Sequence, residues 1–109
     1  ILAHPTGRLL LDREPYSADI DRIIDCAAEY GKILELNANP QRLDLDWRYC
    51  IRAKKKGVRI AISPDAHHLE DLKTVVFGIN IARKGWMESF DCINSLSARE
   101  MAHFLYSRP

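Results

Sequence analysis

Twice in 109 residues, a run with helical apolar spacing ends at a glycine and gives way to a short aliphatic run. From Asp19, residues Ile20, Ile23, Ile24 and Ala27 recur at i, i+3, i+4 and i+7, which is one face of a helix. Gly31 follows, where a helix commonly stops in the left-handed conformation. "KILEL" at 32–36 then reads as a strand, closed by the turn-prone "NANP". The second unit, "DLDWRYCIRAKKKG", puts Trp47, Cys50 and Ile51 on one face, gathers basic residues towards its end, and meets Gly57. "VRIAIS" at 58–63 follows as a strand rich in β-branched residues. Helices alternating with nearly continuous apolar strands form parallel sheets covered by helices.

Beyond the second strand, Leu72, Val75, Val76 and Ile79 form another helical stripe running to about Arg83, with Gly78 as an interruption. The last helix has an explicit start: Ser97 and Glu100 stand at capping-box spacing, Leu96 and Met101 as a hydrophobic staple, and Met101, Phe104 and Leu105 as the packing face. The opening Ile1-Leu2-Ala3 looks like the second half of a buried strand. The expectation is therefore about three parallel strands and four helices. Such a set leaves two open sheet edges. Residues 1–109 accordingly read as one partial domain, the C-terminal part of a β/α barrel or open sheet, with self-association across the cut edge as one way to cover it.

Bulk composition narrows the class only a little. Hydrophobic residues make up 47% and charged residues 28%, which suits a soluble globular chain and not a disordered one. Sixteen Lys and Arg against fifteen Asp and Glu create no net field towards nucleic acid or membrane. Cys26, Cys50 and Cys92 are scattered, with no C-x-x-C pair, and read as reduced thiols of a cytoplasmic protein. No apolar run approaches the roughly 20 residues of a membrane helix.

The chemistry-bearing residues all follow strands. His4 comes after "ILA", Asn37 after "KILEL", and Asp65 and His67 after "VRIAIS". In parallel α/β sheets the sites form at that end. In extended backbone, Asp65 and His67 point to the same side and make suitable Zn or Mn ligands. The competing reading is a polar strand end whose Asp65 caps the next helix. His68 points away, as a helix-entry or surface residue. His4 is either a ligand or an ordinary His-Pro turn; Gly7 and Arg8 after it either approach an anion or make a tight turn. Glu35 and Asn37 read as a salt bridge and an Asx-turn, or Asn37 supports a ligand from the face it shares with Glu35. Arg42 and Asp44 complete the set, with Arg42 as the better phosphate candidate. The "RAKKKG" run reads as a solvated helix end, with a nucleic-acid contact as the alternative, and Trp86 in "RKGW" is either a packed ring beside a snorkelling Arg or a base-stacking platform.

Taken in order, "LAHPTGR", "LELNANPQRLDL", "PDAHHLEDL" and "GINIARKGW" resemble the C-terminal part of the polymerase and histidinol phosphatase (PHP) domain, in the version attached to bacterial family X DNA polymerases. The resemblance implies a portion of a distorted seven-stranded β/α barrel with a trinuclear Mn or Zn centre. It implies phosphoester hydrolysis at DNA 3′ ends, as 3′–5′ exonuclease and 3′-phosphatase. Within it, His4, Asp65 and His67 match metal ligands belonging to different ions, with Arg8, Asn37 and Arg42 assisting ligands or phosphate. The family's early His-x-His pair, bridging Glu and further ligands are absent from these residues. The expected partners are therefore the upstream half of the barrel, the polymerase region and, through them, DNA, and the chain alone is expected to turn over poorly. Two other readings stand beside this one: part of a small-molecule PHP phosphatase such as a histidinol-phosphate phosphatase, and a non-catalytic interaction module.

Overall fold

A computed structural model describes residues 1–107 as an α/β unit. Its elements are α1 (Ile20–Glu29), β1 (Leu34–Asn37), α2 (Trp47–Lys55), β2 (Ile60–Ser63), α3 (Val75–Lys84) and α4 (Ala98–Tyr106). Short 3-10 turns cover Leu69–Thr74, Ser89–Asp91 and Ile93–Ser95. The helix boundaries follow from caps. Asp19 accepts from the Arg22 amide and Asp46 from the Arg48 amide, while Ser97 and Glu100 close a reciprocal capping box. Gly31 and Gly57 lie just past their helices at φ +58° and +71°, the conformation their position requires.

The four expected helices are present, but the three expected strands reduce to two among the described residues. β1 and β2 pair in parallel, Leu34 opposite Ile60 and Asn37 opposite Ser63. The opening segment contributes a single parallel bridge, Leu2 to Leu34, because the chain leaves the sheet at His4, where φ is 47°. On the other side Cys92 makes a parallel bridge to Ile60. Four segments therefore lie side by side in the order Leu2, β1, β2, Cys92, all running one way. This is a parallel α/β layer; closure into a barrel lies beyond what these segments display.

Two cores flank the layer. Leu34, Leu36, Ile60 and Ile62 pack on Ile20, Ile24 and Ala27 of α1, Cys50 and Ala53 of α2, and Ala82 of α3. On the opposite face Ile33, Ala61 and Ile93 meet Leu96, Met101 and Phe104, so the staple and the α4 packing face form as expected except that Leu105 is exposed. The α3 stripe needs a larger correction. Leu72, Val76 and Ile79 are exposed, and the helix buries Gly78 and Ala82 instead. A Cβ built on Gly78 would lie 2.6 Å from Ile62 Cγ2 and 2.7 Å from Ala38 Cβ, so the missing side chain is what lets α3 reach the sheet.

The thiols differ in surroundings. Burial pushes Cys50 up to about 12, whereas Cys26 is exposed on α1. Brief iodoacetamide treatment of the folded protein at neutral pH is expected to label Cys26 and spare Cys50. Equal labelling of both by mass spectrometry would contradict this packing.

Candidate functional site

The strand ends are joined by two carboxylates. Glu35, on β1, accepts the His4 amide at 2.7 Å through Oε2 and the Ser63 hydroxyl through Oε1. One side chain thus ties the opening segment, β1 and β2 together. Asp44 does the same for the loop after His4. It is fully buried and accepts from the amides of Thr6, at 3.1 Å, and Gly7, at 3.1 Å. It also pairs its own main chain with Asn37 in an antiparallel bridge. Nothing in the local spacing announces that Asp44 reaches back 38 residues to Thr6; its placement next to the turn-forming "NANPQR" was the only signal.

His4 stands over this platform with its side chain 42% exposed. The Asn37 side-chain oxygen accepts from the Asn39 amide at 2.9 Å, an Asx-turn, which directs the Asn37 NH₂ towards His4 Nδ1 at 3.3 Å. Glu35 Oε2 lies 3.6 Å from the same nitrogen. Asn37 thus makes the Asx-turn expected of it, and Glu35 lies within ion-pair range of His4. Because the amide can only donate, a neutral His4 ring accepts on Nδ1 and carries its proton on Nε2.

Strand parity does not place Asp65 and His67, contrary to the expectation. Asp65 is not extended but left-handed, with φ 55°, directly after Pro64. The pair is organised instead by a hydrogen bond of 2.7 Å between His67 Nδ1 and the Asp65 carbonyl. The carbonyl can only accept, so a neutral His67 ring carries its proton on Nδ1 and has its lone pair on Nε2. Nor does Asp65 cap the following helical turn. Asp71 does so, accepting from the His67 and His68 amides at 3.0 Å each. Those two bonds hold the Asp71 carboxyl below its ordinary value. His68 is the exposed helix-entry residue expected.

The arginines are already engaged. Arg8 donates from Nε to the Arg42 carbonyl at 2.9 Å and from its terminal nitrogen to the Leu43 carbonyl, and its other nitrogen lies 3.8 Å from Asp46. Arg42 places Nε 3.4 Å from Asp65 Oδ2. Arg8 thus braces the loops, and Arg42 offers its charge beside the Asp65 carboxylate. The lysine run is a solvated helix end: Lys54 pairs with Glu88 and Asp91, and Lys56 with Asp25. Trp86 is 76% exposed, not packed. Its carbonyl takes Lys54 Nζ in the last turn of α2, far along the helix from the capped end that faces the site.

A divalent ion would find donors here in Nε2 of a neutral His67 and in the Asp65 carboxylate, beside which Arg42 stands. His4 would join by giving up its Asn37 contact. Among the described residues no three His, Cys, Asp or Glu side chains already converge on one point. His4, Asp65 and His67 therefore form a rim of donors rather than a closed cage.

The chain is thus an α/β unit with a parallel layer and His-Pro, Asn-x-Asn-Pro and Asp-x-His motifs at its strand ends. The chain is 44% identical over 105 residues, 96% of its length, to the DNA polymerase/3'-5' exonuclease PolX of Bacillus subtilis strain 168. It is 34% identical over 74 residues, 62% of its length, to a probable phosphatase of Caldanaerobacter subterraneus subsp. tengcongensis. The chain spans 18% of the first relative and 26% of the second. No family model matches it. The motif resemblance is borne out as similarity: nearly the whole chain aligns with part of a bacterial DNA polymerase/3'-5' exonuclease. Among the described residues no helix is long and apolar enough to cross a membrane.

Proposed function

We propose that this chain is part of a metal-dependent phosphoesterase, the PHP domain of a family X DNA polymerase, acting on DNA 3′ ends. The observation that carries the reading is His67. The Asp65 carbonyl holds its Nδ1, which leaves the lone pair of a neutral ring on Nε2, at the same sheet end as His4. The identity with a polymerase and exonuclease across nearly the whole chain supports the substrate class.

On this reading His4, Asp65 and His67 hold Mn or Zn, in a trinuclear centre that other residues of the domain complete. Such ions, when bound, supply a water of lowered pKa and a clamp for phosphate oxygens. The residues themselves do the positioning. Glu35 and Asp44 fix the His4 loop. Arg42 sets the Asp65 carboxylate and presents positive charge to an incoming phosphate, and Asn37 holds His4 Nδ1 until an ion displaces it.

The test uses the complete domain, with bound Mn and Zn and phosphodiesterase turnover measured in wild type, Asp65→Ala and His67→Ala. Each variant is expected to lose metal and about a hundredfold of activity, given that residues merely supporting metal ligands already cost about 10–100-fold. Unchanged metal content and turnover in both would sink the assignment. The probable phosphatase among the relatives supports a second reading, a small phosphoester as substrate. Comparing oligonucleotides bearing 3′-OH or 3′-phosphate with histidinol phosphate separates the two by kcat/KM.

A further inference from the structure

Beside the His4 loop lies a pocket of about 430 Å³ that the proposed hydrolysis leaves without a role. Its walls are Thr6 and Arg8 from that loop, Tyr16 from the lead into α1, and Asp46, Arg48 and Arg52 from the start of α2. The wall is joined directly to the candidate site, since the Tyr16 hydroxyl shares its one hydrogen between the carbonyls of His4, at 2.7 Å, and Pro5, at 2.9 Å. Its lining holds three arginines against one aspartate, and with Asp21, which pairs with Arg52 from outside the lining, one positive charge is left in excess.

The guanidinium groups are placed without being exhausted. Asp46 grips Arg48 through Nε at 2.9 Å and a terminal nitrogen at 3.2 Å, and Asp21 takes one nitrogen of Arg52. Each guanidinium has five N–H donors, so at least three on Arg48 and four on Arg52 remain. Both side chains are exposed, at 71% and 54%. Aromatic surface lies alongside, with the Arg52 guanidinium 5.8 Å from the centroid of the Tyr49 ring and the half-exposed Tyr16 across the pocket. Fixed, planar, cationic forks beside phenol rings suit the phosphates of an extended strand and the bases or sugars between them.

We propose that this pocket binds the phosphodiester backbone of the nucleic-acid strand whose end is processed at His4, Asp65 and His67. The proposal rests on the phosphoesterase reading and adds a strand-holding subsite on the outer side of the His4 loop. Arg48 and Arg52 are its phosphate-contacting residues, and Arg8 is its structural back wall.

The test compares the full-length wild type with the double variants Arg48→Ser/Arg52→Ser and Arg48→Lys/Arg52→Lys. The probes are a single-stranded oligonucleotide with a free 3′ end and bis(p-nitrophenyl) phosphate, a diester too short to span both places. With serine, KM and Kd for the oligonucleotide should rise about tenfold or more, relative to any change on the small diester. The slope of log K against log salt should shrink by about 1.4, at about 0.7 per lost phosphate contact on a single strand. The lysine variant should keep most of the salt slope. If wild type cleaves the oligonucleotide and serine leaves Kd and slope unchanged, or lowers both substrates equally, the pocket proposal alone falls. If wild type turns over only small phosphoesters and binds no oligonucleotide, the DNA reading falls, and the pocket proposal falls with it.

Discussion

Replacing Asp44 by Ala is expected to destabilise the protein by about 2 kcal/mol and to loosen the placement of His4. The carboxylate is fully buried and accepts from the Thr6 and Gly7 amides. Both of those residues are buried too, so no water replaces the lost acceptor. A buried donor left without a partner costs about 1–3 kcal/mol, and the substitution orphans the Thr6 amide, while the Gly7 amide keeps the His4 carbonyl at 3.1 Å. The His4 loop would then retain the Glu35 contact at the His4 amide and the Tyr16 hydroxyl at its carbonyls, but lose the buried carboxylate under Thr6 and Gly7. Asp44→Asn keeps one acceptor oxygen and turns an NH₂ towards two N–H groups, so it should fall between wild type and Ala. Urea unfolding gives the stability difference, and metal content of the complete domain gives the functional one. A loss of less than 0.5 kcal/mol for Asp44→Ala, the range of ordinary surface changes, would show that these hydrogen bonds do not organise the loop.

Gly78→Ala is expected to destabilise by about 1–2 kcal/mol, against the direction that helix propensity sets. Alanine is the better helix former by about 1 kcal/mol. The new Cβ, however, would stand 2.6 Å from Ile62 Cγ2 and 2.7 Å from Ala38 Cβ, and Ala38 is wholly buried. Ile62 can shift only within its packed core, and overpacking of this kind costs about 1–3 kcal/mol. Gly78→Val adds two further carbons to the same contact and should cost about 3 kcal/mol. Val76→Ala, at an exposed position on the same helix, serves as the control and should stay within about 0.5 kcal/mol. A stabilised Gly78→Ala protein would mean that α3 does not approach the sheet this closely.

These two residues also mark where sequence reading stopped. Helix limits were legible because caps are local: Asp19, Asp46, Ser97 with Glu100, Gly31 and Gly57 each act within a few residues of their own position. The α3 packing face was misread because Leu72, Val76 and Ile79 carry the hydrophobic signal while Gly78 and Ala82 make the contact. Small residues at a close approach are invisible to a count of apolar side chains. The segment at Cys92 joins the layer through one bridge between two 3-10 turns, too short to show any period.

At the site, the convergence of His4, Asn37 and Asp65 at one sheet end follows from βα alternation alone. The relation between Asp65 and His67 does not, because a left-handed residue replaces the extended one that parity assumed. Asp44 was underweighted for a different reason: its partners are far away in sequence.

Three residues other than glycine sit in left-handed backbone around the strand ends: His4 at φ 47°, Leu43 at 44° and Asp65 at 55°. Each such residue costs about 1–2 kcal/mol relative to its relaxed form, and it persists only where the surroundings over-determine it. Here Glu35 holds the His4 amide, Arg8 holds the Leu43 carbonyl, and the His67 ring holds the Asp65 carbonyl. A sequence shaped for stability alone would place glycine at all three. At 4 and 65 that choice would remove the side chains with ligand chemistry; at 43 it would slacken the carbonyl that fixes Arg8. The relaxed layer below and the strained rim above thus answer to different selective demands, and mutations that improve one are the mutations to suspect of harming the other.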